Sequence, residues 1–144
     1  IAVPDEAPPV APTGSIAGLL VQCIDNEPAV LDGMRVLLEG WGCTVETAES
    51  SAAATAHFAL RRQVPDLVLA DYQLDRETGL DAIAELRAAT KVAVPGVIIT
   101  ANHSPDVQRE VRARGLLLLP KPVKAAALRA LPSQAHLRRQ AAAE

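Results

Sequence analysis

Apolar and polar positions change texture near residue 19 and then alternate between two rhythms. Leu19-Leu20-Val21-Gln22-Cys23-Ile24, Leu67-Val68-Leu69-Ala70, Val97-Ile98-Ile99-Thr100 and Leu116 to Leu119 are short, nearly continuous apolar runs. Such runs predict strands buried on both faces, the texture of a parallel sheet. Thr44-Val45-Glu46-Thr47 alternates as a further strand. Segments of helical spacing lie between. Pro28 opens the first; Val30, Met34, Leu37 and Trp41 recur along it; Gly40 and Gly42 close it. Ser50 is placed to cap an Ala-rich second helix running to about Gln63. Leu80, Ile83 and Leu86 or Arg87 share one side of a third. Pro105 to Arg114, with Val107 and Val111 inward, forms the fourth and stops at Gly115. The fifth follows Lys121-Pro122 and carries Val123, Ala127 and Leu131 until Pro132 interrupts it. Five strands alternating with five helices predict an α/β domain with right-handed crossovers and helices on both sides of the sheet. Residues 1–16, with Pro4, Pro8, Pro9 and Pro12, read as a disordered linker. Residues 17–132 form the domain, and 133–144 read as a tail or helical extension.

Composition narrows the picture. A length of 144 residues suits one domain with tails. Aromatics are only 2% against 49% hydrophobic residues, so the core must be built from Ala, Val, Leu and Ile. A formal net charge of -3 offers no electrostatic case for nucleic acid, and Trp41, Phe58 and Tyr72 are scattered singly rather than grouped as base-stacking platforms. Cys23 and Cys43 lie in apolar, strand-like stretches and read as two buried thiols rather than a disulfide. His57, His103 and His136 are too far apart in sequence for a zinc motif. No apolar run is long enough to span a membrane and no basic, then apolar, leader opens the chain, so a cytoplasmic domain without membrane contact is expected. The first residue is Ile1 rather than Met, and the chain reads as a piece of something longer.

The candidate chemistry sits at strand ends. Three apolar runs end in Asp25, Asp71 and Thr100, and Lys121 follows the last. In a doubly wound sheet the ligand crevice lies outside the carboxyl ends of the strands. Any strand order that sets the first and third strands side by side brings Asp25 and Asp71 together. Two carboxylates in one pocket repel unless a cation sits between them. A small oxygen-lined site suits Mg²⁺, which keeps several waters and takes one or two carboxylates plus a phosphate oxygen. Asp71 then stays ionised as a nucleophile toward phosphorus, with Lys121 and Thr100 placed to stabilise the transferring group. Each residue alone is unremarkable, since an Asp at a strand end is usually a turn residue. Their joint occurrence, in order and at the same end of successive strands, is what points to a site.

The segments CIDNEPAVLDGMRVLLEGWG, PDLVLADYQLDRETGLDAI, VIITA and LLLLPKPV resemble the receiver-domain family of two-component signalling, from about Leu19 to Leu131. The eight-residue step from Asp71 to Gly79 matches that family's loop. The resemblance implies a flavodoxin-like sheet in the order 2-1-3-4-5. It makes Asp71 the phosphoacceptor, Asp25 and Asn26 the acidic-pocket pair, and the Gln73 backbone carbonyl the remaining protein ligand of Mg²⁺. Thr100 becomes the switch hydroxyl and Lys121 the phosphate-binding lysine. Ala101 is the small residue that leaves phosphate access, and the Lys121-Pro122 bond is expected to be cis. The implied partner is a histidine kinase or histidine phosphotransfer protein docking near the first helix. Output, including a homodimer, is expected at the face of the fourth helix, fifth strand and fifth helix.

The sequence also departs from the family's pattern. Asn26 stands where a carboxylate is usual, so weaker Mg²⁺ binding is expected unless Glu27 compensates. Leu118 occupies the position of an aromatic switch residue, so output must run through Thr100 and the fourth helix. Asp75 to Thr78 replaces a common proline-containing loop. Too few residues follow Pro132 for a DNA-binding domain, and the Pro-rich leader and the D-N-E-P and L-L-E-G-W-G segments resemble the C-terminal receiver of a hybrid sensor histidine kinase; a stand-alone receiver fits the same features. Two rivals stand beside this reading. A receiver that takes no phosphate and acts as an interaction module is kept open by Asn26 and Leu118, and is opposed by the presence of Asp71, Thr100 and Lys121 together. A haloacid-dehalogenase-type phosphatase needs an acid two residues after its nucleophile, where this chain has Gln73. The domain itself is expected to act as a receiver and not as a turnover enzyme.

Overall fold

The structure, a computed structural model, describes residues 18–130. The linker expected over 1–16 and the tail over 133–144 lie outside the described residues, as does Leu131. In chain order the elements are β1 (Leu20–Ile24), α1 (Pro28–Gly40), β2 (Thr44–Ala48), α2 (Ser51–Arg61), β3 (Leu67–Asp71), α3 (Gly79–Thr90), β4 (Gly96–Thr100), α4 (Pro105–Ala113) and β5 (Leu117–Pro120). Residues 125–130 are helical and form α5 as far as it is described. The strands make one parallel sheet in the order β2-β1-β3-β4-β5, as the resemblance implied.

Strand periodicity divides the core in two. Val21 and Cys23, Leu67 and Leu69, and Val97 and Ile99 point to one face, where Leu31, Met34 and Leu38 of α1 and Leu128 of α5 cover them. Ile24, Val68, Ala70 and Ile98 point to the other, under Ala54 of α2, Leu80, Ile83 and Leu86 of α3, and Val107 and Val111 of α4. Both faces of the three central strands are therefore dry, which is why their sequences read as nearly continuous apolar runs; buried Gln22 interrupts β1 and donates from its amide to the Cys23 and Glu46 carbonyls, each at 3.3 Å. Cys23 and Cys43 are free and buried; burial pushes the Cys23 thiol up to about 12, so it remains protonated.

Local signals set the helix ends. Pro28 starts α1, and the side chains of Ser50, Thr78 and Ser104 accept backbone N–H bonds at the starts of α2, α3 and α4. Two inner faces differ from expectation. In α1 the most buried residues are Leu31, Met34 and Leu38, while Val30, Leu37 and Trp41 flank them. The expected set lay along one edge of a wider apolar stripe, and packing on the sheet centred the stripe on its neighbours. In α5 the buried residue is Leu128, and Ala127 is exposed. Val123 precedes the helical residues, so a helical period counted from it runs one position out of phase.

Candidate functional site

Strand pairing builds the site. Ile24 lies opposite Ala70 in the β1–β3 ladder, so Asp25, one residue on, stands level with Asp71. Asp71 lies opposite Ile99, and Thr100 opposite Pro120, which places Thr100 and Lys121 at the same edge. Asp25 and Asp71 are both buried, at 3% and 8% exposure. Lys121 Nζ meets Asp71 Oδ1 at 2.8 Å. The backbone N–H of Glu27 donates to Asp25 Oδ1 at 2.9 Å. The Lys121-Pro122 bond is cis.

The electrostatics are those of a cup with more negative than positive charge. Burial holds the Asp25 carboxyl above its ordinary range; the Glu27 N–H pulls it down, the Asp71 carboxylate pushes it up and Lys121 lowers it again. The hydrogen bond to Asp71 raises the Lys121 ammonium above its ordinary value against the opposing effect of burial, with the charges of Asp71, Asp25 and Glu27 adding to the rise. Two carboxylates thus share one ammonium. Lys121 engages one oxygen of Asp71, and no described group donates to the other.

Thr100 is buried at the end of β4, and its hydroxyl oxygen accepts the Asn102 N–H at 2.9 Å. Its hydroxyl proton is free to donate, and its carbonyl holds the Lys121 N–H at 3.0 Å. Thr100 is thus tied to the lysine through the main chain. Ala101 is exposed at the rim. Leu118 is half-buried and packs into the core under α3 and α4.

The β3–α3 loop carries features that the sequence reading did not pick out. Gln73 pairs with Thr78 in an isolated antiparallel bridge. The bonds of that bridge run between its neighbours, from Gly79 N–H to the Tyr72 carbonyl and from Leu74 N–H to the Glu77 carbonyl. In such a pair the intervening residue turns its own carbonyl away from its partner, so the Gln73 carbonyl faces out of the loop. Glu77 is anchored on α2, accepting from Ser51 N–H at 2.8 Å and Ser51 Oγ–H at 2.7 Å. Asn26 Nδ2 donates to Asp75 Oδ1 at 2.9 Å. The available sequence signal was the D-R-E-T segment itself, but nothing local tells which helix or loop its acids reach.

The donor set fits a hard cation that keeps much of its water. It offers two buried carboxylates, an outward carbonyl and an amide. Among the described residues no group of three or more His, Cys, Asp or Glu side chains is arranged to hold a metal ion. A sparse all-oxygen set matches Mg²⁺, whose remaining positions go to water and phosphate oxygens, better than it matches zinc or calcium.

A family model described as the response regulator receiver domain matches residues 21–131. The AlgB alginate biosynthesis transcriptional regulatory protein of Pseudomonas putida is 42% identical over 84 residues, 58% of this chain and 18% of that protein. The transcriptional regulatory protein GlrR of Escherichia coli is 32% identical over 106 residues, 73% of this chain and 23% of that protein. The chain therefore spans less than a quarter of the length of these two relatives. A response regulator receiver domain protein from Clostridium thermocellum superimposes with a TM-score of 0.75 at 27% identity, covering 85% of this chain and 97% of that one.

Proposed function

The chain belongs to the response regulator receiver domain family, and from that premise we propose that Asp71 accepts a phosphoryl group from a phosphohistidine in a Mg²⁺-dependent phosphorelay. The observation that carries this reading is the buried Asp71 at the end of β3, paired by one oxygen to Lys121 and level with Asp25. The oxygen left unengaged is the nucleophile. It forms the new O–P bond as the N–P bond of the phosphohistidine breaks, and the departing imidazole takes up a proton. Asp25, Asp71 and the Gln73 carbonyl would hold Mg²⁺, with Asn26 beside them. When bound, the ion neutralises charge on the phosphoryl oxygens. Lys121 moves its hydrogen bond from Asp71 Oδ1 to a phosphoryl oxygen. Thr100 turns its free hydroxyl proton toward another.

The donor is a histidine kinase or histidine phosphotransfer protein. Output, including a homodimer, uses the α4–β5–α5 face. Among the described residues no helix is long and apolar enough to cross a membrane, and the cytoplasm, where phosphohistidine donors operate, is the site of action we propose. Incubation with acetyl phosphate and Mg²⁺ tests the reading. The expected result is a mass gain of one phosphoryl group that Asp71→Ala abolishes. No gain in the wild-type protein, and no response to beryllofluoride, would leave an interaction module that takes no phosphate.

A further inference from the structure

We propose that Asp75 is a positioning residue that fixes the amide of Asn26 so that its oxygen, not its nitrogen, is presented to the metal cup. The inference rests on the Mg²⁺ site proposed above and concerns how this chain equips it. A primary amide has ends of opposite polarity, an acceptor oxygen and a donor NH₂. Asn26 directly follows Asp25, one of the two buried carboxylates of the cup. Left alone beside them, it would turn its NH₂ inward and donate to a carboxylate, standing in for the cation and competing with it. The structure shows a different partner: Asn26 Nδ2 donates to Asp75 Oδ1 at 2.9 Å. An ionised carboxylate only accepts, so the end of Asn26 in contact with Asp75 has to be the NH₂. That leaves Oδ1 as the end available to a metal-bound water or to the metal. Asp75 belongs to the same loop that turns the Gln73 carbonyl outward, so one loop supplies a ligand and orients another.

The test is Mg²⁺ affinity, titrated with MgCl₂ alone and read from backbone amide shifts around Asp25, without any phosphoryl donor. Asp75 is exposed, so its substitution leaves the core untouched. Asp75→Ala is expected to weaken Mg²⁺ about tenfold, the lower end of what outer-shell partners contribute. Asp75→Glu keeps an acceptor-only carboxylate for the Asn26 NH₂ and is expected to stay within about threefold of wild type, whereas Asp75→Asn can donate as well as accept, no longer selects the NH₂ end, and is expected to lose affinity as Asp75→Ala does. In an Asn26→Asp background position 26 has two equivalent oxygens and needs no orienting, so Asp75→Ala should then cost nothing. An Asp75→Ala variant with wild-type affinity overturns the proposal, and so does an equal loss in both backgrounds, which would mean only that a negative charge was removed. A wild-type protein whose amides do not respond to Mg²⁺ overturns it together with the metal-dependent function. A normal wild-type response with an indifferent Asp75 overturns the positioning role alone.

Discussion

Replacing Gly79 by Ala should damage both the fold and the site, whereas the same change at Gly33 should stabilise the protein. A Cβ on Gly79 would fall 2.3 Å from the Asp71 carbonyl oxygen, 3.0 Å from its carbonyl carbon and 3.1 Å from Ile98 Cδ1. Ordinary contact begins at 3.4 Å, so the backbone at the foot of α3 and the end of β3 must part by about 1 Å. Neither side yields easily. The Gly79 N–H is bonded to the Tyr72 carbonyl at 2.9 Å, and Asp71 ends a strand paired in the sheet interior. Overpacking of this kind costs about 2–3 kcal/mol. Better helix propensity returns at most about 1 kcal/mol, so the net loss is about 1–2 kcal/mol. Gly33 lies within α1 with nothing within 4 Å of its Cβ position. There Ala should gain about 0.5–1 kcal/mol, because only the entropic cost of glycine is removed. Urea denaturation of both variants, analysed at constant slope, measures the two signs. Labelling by acetyl phosphate reads the displacement of Asp71, and should drop in Gly79→Ala and stay normal in Gly33→Ala. A Gly79→Ala protein as stable as wild type, with full labelling, would refute the claim that close approach, not loop flexibility, requires glycine there.

The other expected outcomes concern the loop, the cup and α5. Glu77→Ala removes the acceptor for two donors of Ser51 at the start of α2 and should cost about 1 kcal/mol in urea unfolding, the size of a lost helix cap. Asp25 has a folded-state pKa held above its ordinary value of 3.8, so the folded protein binds this proton more tightly than the unfolded chain. Its favourable contribution is present below the ordinary value and is lost as pH rises through the raised one. Asp25→Asn should therefore raise the Tm of the metal-free protein at neutral pH, lose that advantage in acid, and no longer be stabilised by added Mg²⁺; a lower Tm at neutral pH would contradict the sign. Leu128 is 1% exposed in the core under α1, and Leu128→Ala should lower stability by about 2–4 kcal/mol in the same denaturation assay.

Several elements were legible because one-dimensional pattern carries their physics. A strand buried on both faces is apolar at nearly every position, so β1, β3 and β4 stood out despite Gln22 in β1, and the polar residues ending those runs marked Asp25, Asp71 and Thr100 as edge positions. Pro28, Ser50 and Pro105 marked helix starts through local backbone chemistry alone. The buried phases of α1 and α5 were less legible, since several adjacent residues are apolar enough to face inward and only packing selects among them.

Element order, the two-faced core and the identity of the strand-end residues were thus written in the chain itself, because each depends on neighbours one to four residues away. Which strands lie side by side was not, and that decides whether Asp25 and Asp71, separated by a whole α-β-α-β stretch, share a cup. Only the tertiary structure brings Lys121 to Asp71, Glu77 to Ser51 and Asp75 to Asn26. A hydrogen bond requires its partners within about 3 Å, and contacts at that range between distant segments follow from how helices and strands pack, which no local pattern encodes.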